Sequence, residues 1–208
     1  MALTTTIEGV RIPDSKLAGK ITELVRDTAP SLLFQHSSRV YYFGALAGRH
    51  RGLTCDPELL YAGAMFHDMG LVKAHSSANE RFEVDGANVA RDFLRGHGIS
   101  QQDVDLVWTA IALHTTPGIP QHMHPVVALV TAGVEMDVLG LTYPEYSEAE
   151  RTQVVHAMRT RAPSTSRKTS SKPSTTGSDT SQRPPSATSR PMCWRTRTRI
   201  STAAISAA

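Results

Sequence analysis

A histidine and an aspartate stand side by side in the segment Ala64–Gly70, at the end of an apolar helical stretch. Adjacent residues on a helix point about 100° apart, so both side chains can serve one point only near a helix end. The imidazole nitrogen of His67 and a carboxylate oxygen of Asp68 together suit a first-row divalent metal. The alternative interpretation is an ordinary helix end at which Gly70 terminates the helix.

Two further residues of the right chemistry lie elsewhere in the chain. His36 belongs to the preceding predicted helix, and Asp137 lies near the end of an apolar helix far downstream. The chain therefore carries a histidine, then the His-Asp pair, then an aspartate, each within or at the end of a predicted helix.

The elements that must position these residues are predicted to be helices throughout. Apolar residues recur at helical spacing, and caps such as Asp14 or Ser15, Asp56 and Ser100 precede them. No segment alternates apolar and polar residues as a strand would. Ser147 and Glu150 have the spacing of a capping box. We predict an all-α bundle of about six to seven helices, over residues 14–28, 31–49, 57–68, 82–95, 100–114, 125–139 and from 147 onwards.

The composition changes abruptly near residue 158. Of the last 51 residues, 21 are Ser or Thr, ten are Lys or Arg, and none is Leu, Val, Phe or Tyr. Such a segment cannot bury enough apolar surface to offset its ordering entropy. We therefore predict a helical domain over residues 1–157 and a disordered basic tail over residues 158–208.

An alternative origin for the tail is a reading-frame shift at about residues 158–166. Residues 166–177 can be back-translated so that a neighbouring frame encodes an amphipathic helix. In that case the fold lacks a C-terminal helix, and sequencing of the gene decides between the two explanations.

Composition also limits the class of protein. There is no apolar run long enough to span a membrane, no signal-peptide layout, and only two scattered cysteines, so a cytoplasmic protein is expected. The body carries six more acidic than basic residues, which argues against a nucleic-acid-binding face. The expected partner is a small-molecule substrate, and the oligomeric state is left open.

The ordered set resembles the HD-domain superfamily of metal-dependent phosphohydrolases. The resemblance covers about residues 30–140 and rests on three segments, Gln35–Val40, Phe66–Gly70 and Thr131–Asp137. Within the superfamily the chain looks most like the cyanamide hydratase-like branch, on the segments His36–Gly44, Phe82–Ala87 and Ala110–His114. This resemblance implies a helical fold and a bound divalent metal.

The resemblance also implies roles for individual residues. One divalent transition metal (Zn, Fe, Mn, Co or Ni) is expected on His36, His67, Asp68 and Asp137, because two neutral imidazoles and two carboxylates balance a dication. A single metal is favoured, since the double-His element of diiron members is missing. Besides Asp68, the candidate catalytic groups are His114 and Glu83, and the candidate substrate-binding groups are Arg39, Lys73 and His75.

Each of these residues also has a structural interpretation. Arg39 could be a salt-bridge partner, and Glu83 could cap a helix. His114 could bind the last carbonyls of its helix. Lys73 and His75 could simply be solvated loop residues.

Three functions are compatible with this pattern. The first is a metal-dependent hydrolase of a small phosphorylated molecule such as a nucleotide. The second is a hydro-lyase that hydrates cyanamide or a related nitrile. The third is a non-catalytic ligand-binding domain. The first is favoured, because open-coordination ligands and acid–base candidates cluster around one site.

Overall fold

The computed structural model describes residues 6–159, which form seven α-helices and contain no β-strand. The predicted all-α fold is confirmed. The helices are α1 Lys16–Thr28, α2 Ser31–Arg51, α3 Pro57–Phe66, α4 Phe82–Gly96, α5 Gln101–Leu113, α6 Pro125–Val134 and α7 Glu148–Arg159.

The helix starts follow the predicted capping residues. Ser15 Oγ accepts a hydrogen bond from the Ala18 amide at 2.9 Å, and an Asp56 carboxylate oxygen accepts one from Glu58 at 2.7 Å. At the start of α7, Glu150 Oε2 accepts from the Ser147 amide at 2.7 Å, while Ser147 Oγ accepts from the Glu150 amide at 3.2 Å. These side chains satisfy amide groups that have no partner within the helix.

The core is built around α2, α3 and α6. Every residue of α3 from Leu59 to Phe66 is buried, and so is every residue of α6 from Val126 to Gly133. A helix that is apolar all round is stable only when other elements cover it on every side. Helices α1, α2, α4, α5 and α6 supply that cover for α3.

The sixth helix was predicted as one continuous helix over residues 125–139, and the structure differs. Helix α6 ends at Val134, and Glu135–Leu139 form one turn of π-helix that ends at Gly140. Gly140 adopts a φ of 63°, which favours glycine because it has no Cβ. The wider turn changes the register of Asp137, and such turns are frequent at functional sites.

The structure rejects the interpretation of Gly70 as a helix-terminating glycine. Helix α3 ends at Phe66, and Gly70 lies inside a short 3₁₀ turn, Met69–Leu71. Its φ is not positive, but a Cβ on Gly70 would lie 2.0 Å from the Phe82 carbonyl oxygen. Glycine is therefore required here because the start of α4 approaches the backbone closely.

The predicted tail lies outside the described residues, except for Met158 and Arg159, which belong to α7. Within residues 6–159, no helix has the length and apolar character needed to cross a membrane.

Candidate metal centre

His67 occupies the position immediately after α3, where the helix leaves backbone carbonyls without partners. Its Nδ1 atom lies 2.7 Å from the Ala64 carbonyl oxygen, and the side chain is fully buried. Because a carbonyl oxygen only accepts, Nδ1 must carry the proton of the neutral ring. The Nε2 atom of His67 is thus left with a free lone pair.

The ring of His36 is oriented like that of His67, with its Nδ1 proton donated to an oxygen, but the acceptor is a different group. Its Nδ1 atom donates to an oxygen of Asp137 at 2.6 Å. Arg39 donates to both oxygens of the same carboxylate, from Nε at 2.7 Å and from Nη2 at 2.8 Å. This bidentate pair holds Asp137 in place, and Asp137 in turn fixes the ring of His36.

The two free nitrogens face each other. His36 Nε2 lies 3.0 Å from His67 Nε2, and an Asp68 oxygen lies 3.5 Å from the first and 3.3 Å from the second. Ligand atoms of these three residues lie within 4.8 Å of one another. Two neutral imidazoles in these tautomers would repel each other through their lone pairs unless a proton or a metal ion lay between them.

The spacing suits a metal ion. Two nitrogens that are each about 2.1 Å from a common ion, at roughly a right angle, are about 3.0 Å apart. Two imidazoles and a carboxylate are ligands that first-row divalent metals prefer. The residues present therefore fit the implied metal, and the group His36, His67 and Asp68 is the candidate metal centre.

The electrostatics of the centre favour metal-binding protonation states. Burial lowers the pKa of His67, which keeps its imidazole neutral. Burial opposes ionisation of Asp68, but hydrogen bonds from His114 and His67 outweigh it and hold the pKa of that carboxyl far below its usual range. These hydrogen bonds need protons on the Nε2 atoms, so a bound metal ion would replace those protons as the positive charge beside the ionised carboxylate.

His114 repeats the arrangement of His67. It directly follows α5, donates from Nδ1 to the Ile111 carbonyl at 2.6 Å and is only 3% exposed. Its Nε2 atom lies 3.6 Å from the second oxygen of Asp68. The geometry of His114 is therefore compatible with both roles considered for it. Its Nδ1 atom binds a carbonyl at the end of the helix, and its Nε2 atom faces the centre, where a catalytic group would act.

Asp137 takes a place that the ligand prediction did not anticipate. Both of its oxygens are engaged by Arg39, and one of them also by His36. Its contacts are those of a carboxylate that orients a ligand histidine. Direct ligation by Asp137 stays a prediction.

Two glycines allow α2 and α6 to bring His36 and Asp137 together. A Cβ on Gly133 would lie 2.2 Å from the Val40 carbonyl oxygen, and one on Gly44 would lie 2.6 Å from the Leu129 carbonyl oxygen. The two helices run in opposite directions through this contact. His36 lies one turn before Val40 and Asp137 four residues after Gly133, so the backbone contact sets their separation.

Glu83, predicted as a catalytic residue, is held by other groups. Its side chain is buried and accepts hydrogen bonds from Arg81 at 2.5 Å and from Thr115 at 2.5 Å. Burial opposes its ionisation, but Arg81 and Thr115 outweigh that effect and lower its pKa to about 2. Within residues 6–159, no hydrogen bond or ion pair joins Glu83 to the candidate metal centre.

The predicted substrate-binding residues separate into two groups. Arg39 lines a cavity of about 470 Å³ that opens onto His36, Asp68 and Asp137. Lys73 and His75 do not line it. Lys73 is exposed, and the Nε2 atom of His75 is buried without a hydrogen-bond partner.

Apolar side chains make up most of the mouth of this cavity, a feature that the sequence analysis missed. They come from the start of α2, the turn after Asp68 and the π-helical turn, namely Pro30, Leu32, Leu33, Leu71, Val72 and Val138. The sequence offered one signal, namely that the apolar residues Leu71, Val72 and Val138 follow the predicted ligands closely.

Comparison with known proteins agrees with this geometry at the level of the family. The family model described as HD domain matches residues 33–155, a range that includes His36, His67, Asp68, His114 and Asp137. No match was found among curated proteins. Because the family model covers more than half of the chain and the predicted resemblance rested on the same residues, the chain belongs to the HD-domain family.

Proposed function

We propose that this protein is a metal-dependent hydrolase in which His36, His67 and Asp68 hold one divalent transition metal. The observation that carries the proposal is the 3.0 Å approach of the two Nε2 atoms, each in a ring whose Nδ1 proton is already donated elsewhere. A divalent metal held by these residues would supply a nucleophile near neutral pH, because it would acidify water.

His114 is the group best placed to move a proton. Its Nδ1 proton is committed to Ile111, so its Nε2 atom is an acceptor directed at the Asp68 side of the centre. It takes a proton as the nucleophile forms and returns it to the leaving group, which is the work of a general base and then a general acid. Asp68 stays ionised throughout, since its pKa lies far below neutrality.

The proposed substrate is a small phosphorylated molecule, as membership of the HD-domain family supports. Arg39 is the cation available to it. Two of the three guanidinium nitrogens bind Asp137, and the third, Nη1, makes no hydrogen bond within the described part of the chain. Arg39 lines the cavity and would steady a phosphate oxygen from there.

A second candidate reaction is hydration of a small nitrile, in which water adds its oxygen to carbon and its protons to nitrogen. The apolar mouth of the cavity favours it, because an uncharged substrate needs no cationic binding groups. The residues and their roles are otherwise the same.

The deciding experiment combines metal content with turnover. Elemental analysis should find stoichiometric transition metal in the wild-type protein and none in His67→Ala. His122→Ala, which removes an exposed imidazole elsewhere, is the matched control and should retain the metal. A folded wild-type protein without metal would refute the proposal.

Turnover then separates the candidate functions. Phosphate release from a panel of phosphate esters supports the hydrolase, and conversion of cyanamide to urea supports hydration. A metal-loaded protein that does neither, yet melts at a higher temperature with a ligand, is a binding domain.

A further inference from the structure

We infer that the substrate has a small apolar body and one compact polar head group, with no more than a single phosphate. This inference rests on the proposed function, because it takes the metal centre as the place where the head group reacts. It goes further in that it assigns the specificity of the site to apolar residues at the cavity mouth.

The first observation is the exposure of large apolar side chains at this mouth. Leu32 is 74% exposed, Leu71 is 56% exposed and Val138 is 62% exposed, and all three line the same cavity. They come from three different elements, namely α2, the 3₁₀ turn and the π-helical turn. Contiguous exposed apolar surface beside convergent polar groups is typical of a ligand-binding cleft.

The second observation is the shortage of positive charge. Among residues 6–159, Arg39 is the only lysine or arginine that lines the cavity, and Asp137 neutralises it through two hydrogen bonds. Lys73, the other predicted cation, lies outside the lining. Beyond the metal ion itself, a triphosphate chain would meet one guanidinium that is already paired with Asp137, so the lining supplies cationic contacts for a single phosphate.

The third observation is size. The cavity holds about 470 Å³, which is in the lower half of the range for small-molecule sites. The side chains of His36, Asp68 and Asp137 are only 7–13% exposed, whereas the apolar Leu32, Leu71 and Val138 are more than half exposed, so the polar groups lie deeper in the cavity. A ligand that contacts both must therefore carry its polar head first and its apolar body behind.

The test uses straight-chain hydroxamates from acetohydroxamate to octanohydroxamate, which chelate metal ions without being turned over. Calorimetric titration into the Mn²⁺-loaded full-length protein should show affinity rising about two- to fourfold per methylene group until the cavity is filled. Octyl phosphate should compete with the probe more strongly than adenosine triphosphate does. Affinity independent of chain length, or stronger competition by adenosine triphosphate, would overturn the inference.

Two variants locate the effect. In Leu32→Asn the gain per methylene should be at least halved, because a polar side chain replaces an apolar one at the mouth. Leu141→Asn is the matched control, since Leu141 is 62% exposed but does not line this cavity, and it should behave as the wild type. Equal losses in both variants would contradict the assignment to the mouth.

The inference and the proposed function fail in different ways. Chain-length-dependent hydroxamate binding without turnover of octyl phosphate or cyanamide refutes catalysis and leaves the inference standing. Turnover together with hydroxamate binding that does not depend on chain length supports catalysis and refutes the inference. No hydroxamate binding at any chain length, in a protein that holds no metal, refutes both.

Discussion

His36 and His67 present their Nε2 atoms to each other at 3.0 Å, from rings whose Nδ1 protons are donated to Asp137 and to the Ala64 carbonyl. The fold thus holds two lone pairs at a distance that is unfavourable without a cation and suitable with one. Two separate features of the backbone bring the two rings together. One is the end of α3, and the other is the close contact between α2 and α6.

The position of Asp137 predicts a graded loss of metal. If Asp137 acts by orienting His36, Asp137→Ala should weaken metal binding about 10- to 100-fold, as loss of a carboxylate behind a ligand histidine does. Competition with a metal chelator measures this affinity. Asp92→Ala, which removes a carboxylate that is 69% exposed, should leave it unchanged. A loss as complete as that in His67→Ala would show that Asp137 binds the metal directly.

The contact between α2 and α6 predicts opposite effects for two glycine-to-alanine substitutions. In Gly133→Ala the new Cβ meets the Val40 carbonyl at 2.2 Å, so the helices must separate, and we expect about 1–3 kcal/mol of destabilisation. Metal affinity should fall as well, because His36 and Asp137 lie one turn away. Gly19→Ala in α1 meets no heavy atom within 4 Å and should stabilise the protein by about 0.5–1 kcal/mol. Urea unfolding of the three proteins checks both signs.

Local signals in the sequence predicted the secondary structure well. Ser15, Asp56 and Ser147 begin helices because their oxygens accept hydrogen bonds from amides two or three residues ahead, which depends only on adjacent sequence. The candidate ligands His36, His67, Asp68 and Asp137 were predicted from their order along the chain and from the family resemblance. Their convergence required the tertiary structure.

Contacts between distant segments were not predictable in the same way. The Arg39–Asp137 pair joins residues 98 positions apart, and the register of Asp137 depends on a π-helical turn that has no simple sequence pattern. Gly44 and Gly133 did offer a signal, because glycine inside an apolar helix is unfavourable unless another backbone lies close. The same explanation accounts for Gly70, for which helix termination was the alternative interpretation.

The Glu83 cluster predicts a specific dependence of stability on pH. The folded-state pKa of Glu83 is about 2, below its ordinary value of 4.5, so its ionised form stabilises the fold above pH 4.5. That stabilisation is lost as the pH falls from about 4.5 towards 2. We expect about 1–2 kcal/mol, less than the full pKa difference implies, because Arg81 is 75% exposed and water screens its charge.

Glu83→Gln checks this expectation, since it keeps the shape and removes the charge. The free energy of unfolding should be lower in the variant at pH 7, and the two proteins should converge as the pH approaches 2. Asp105→Asn, which removes an exposed charge on α5, is the control and should show no such convergence. A constant difference between wild type and Glu83→Gln at every pH would contradict the assigned pKa.

The position of His114 predicts that a substitution there lowers turnover without changing metal content. His114→Gln removes the basic nitrogen that faces Asp68, so turnover of whichever substrate is found should fall about 10²- to 10⁴-fold. Metal content should stay at the wild-type level, because the three clustered ligands are untouched. Loss of metal together with turnover would instead identify His114 as a ligand, and retention of both would leave the proton transfer to another group.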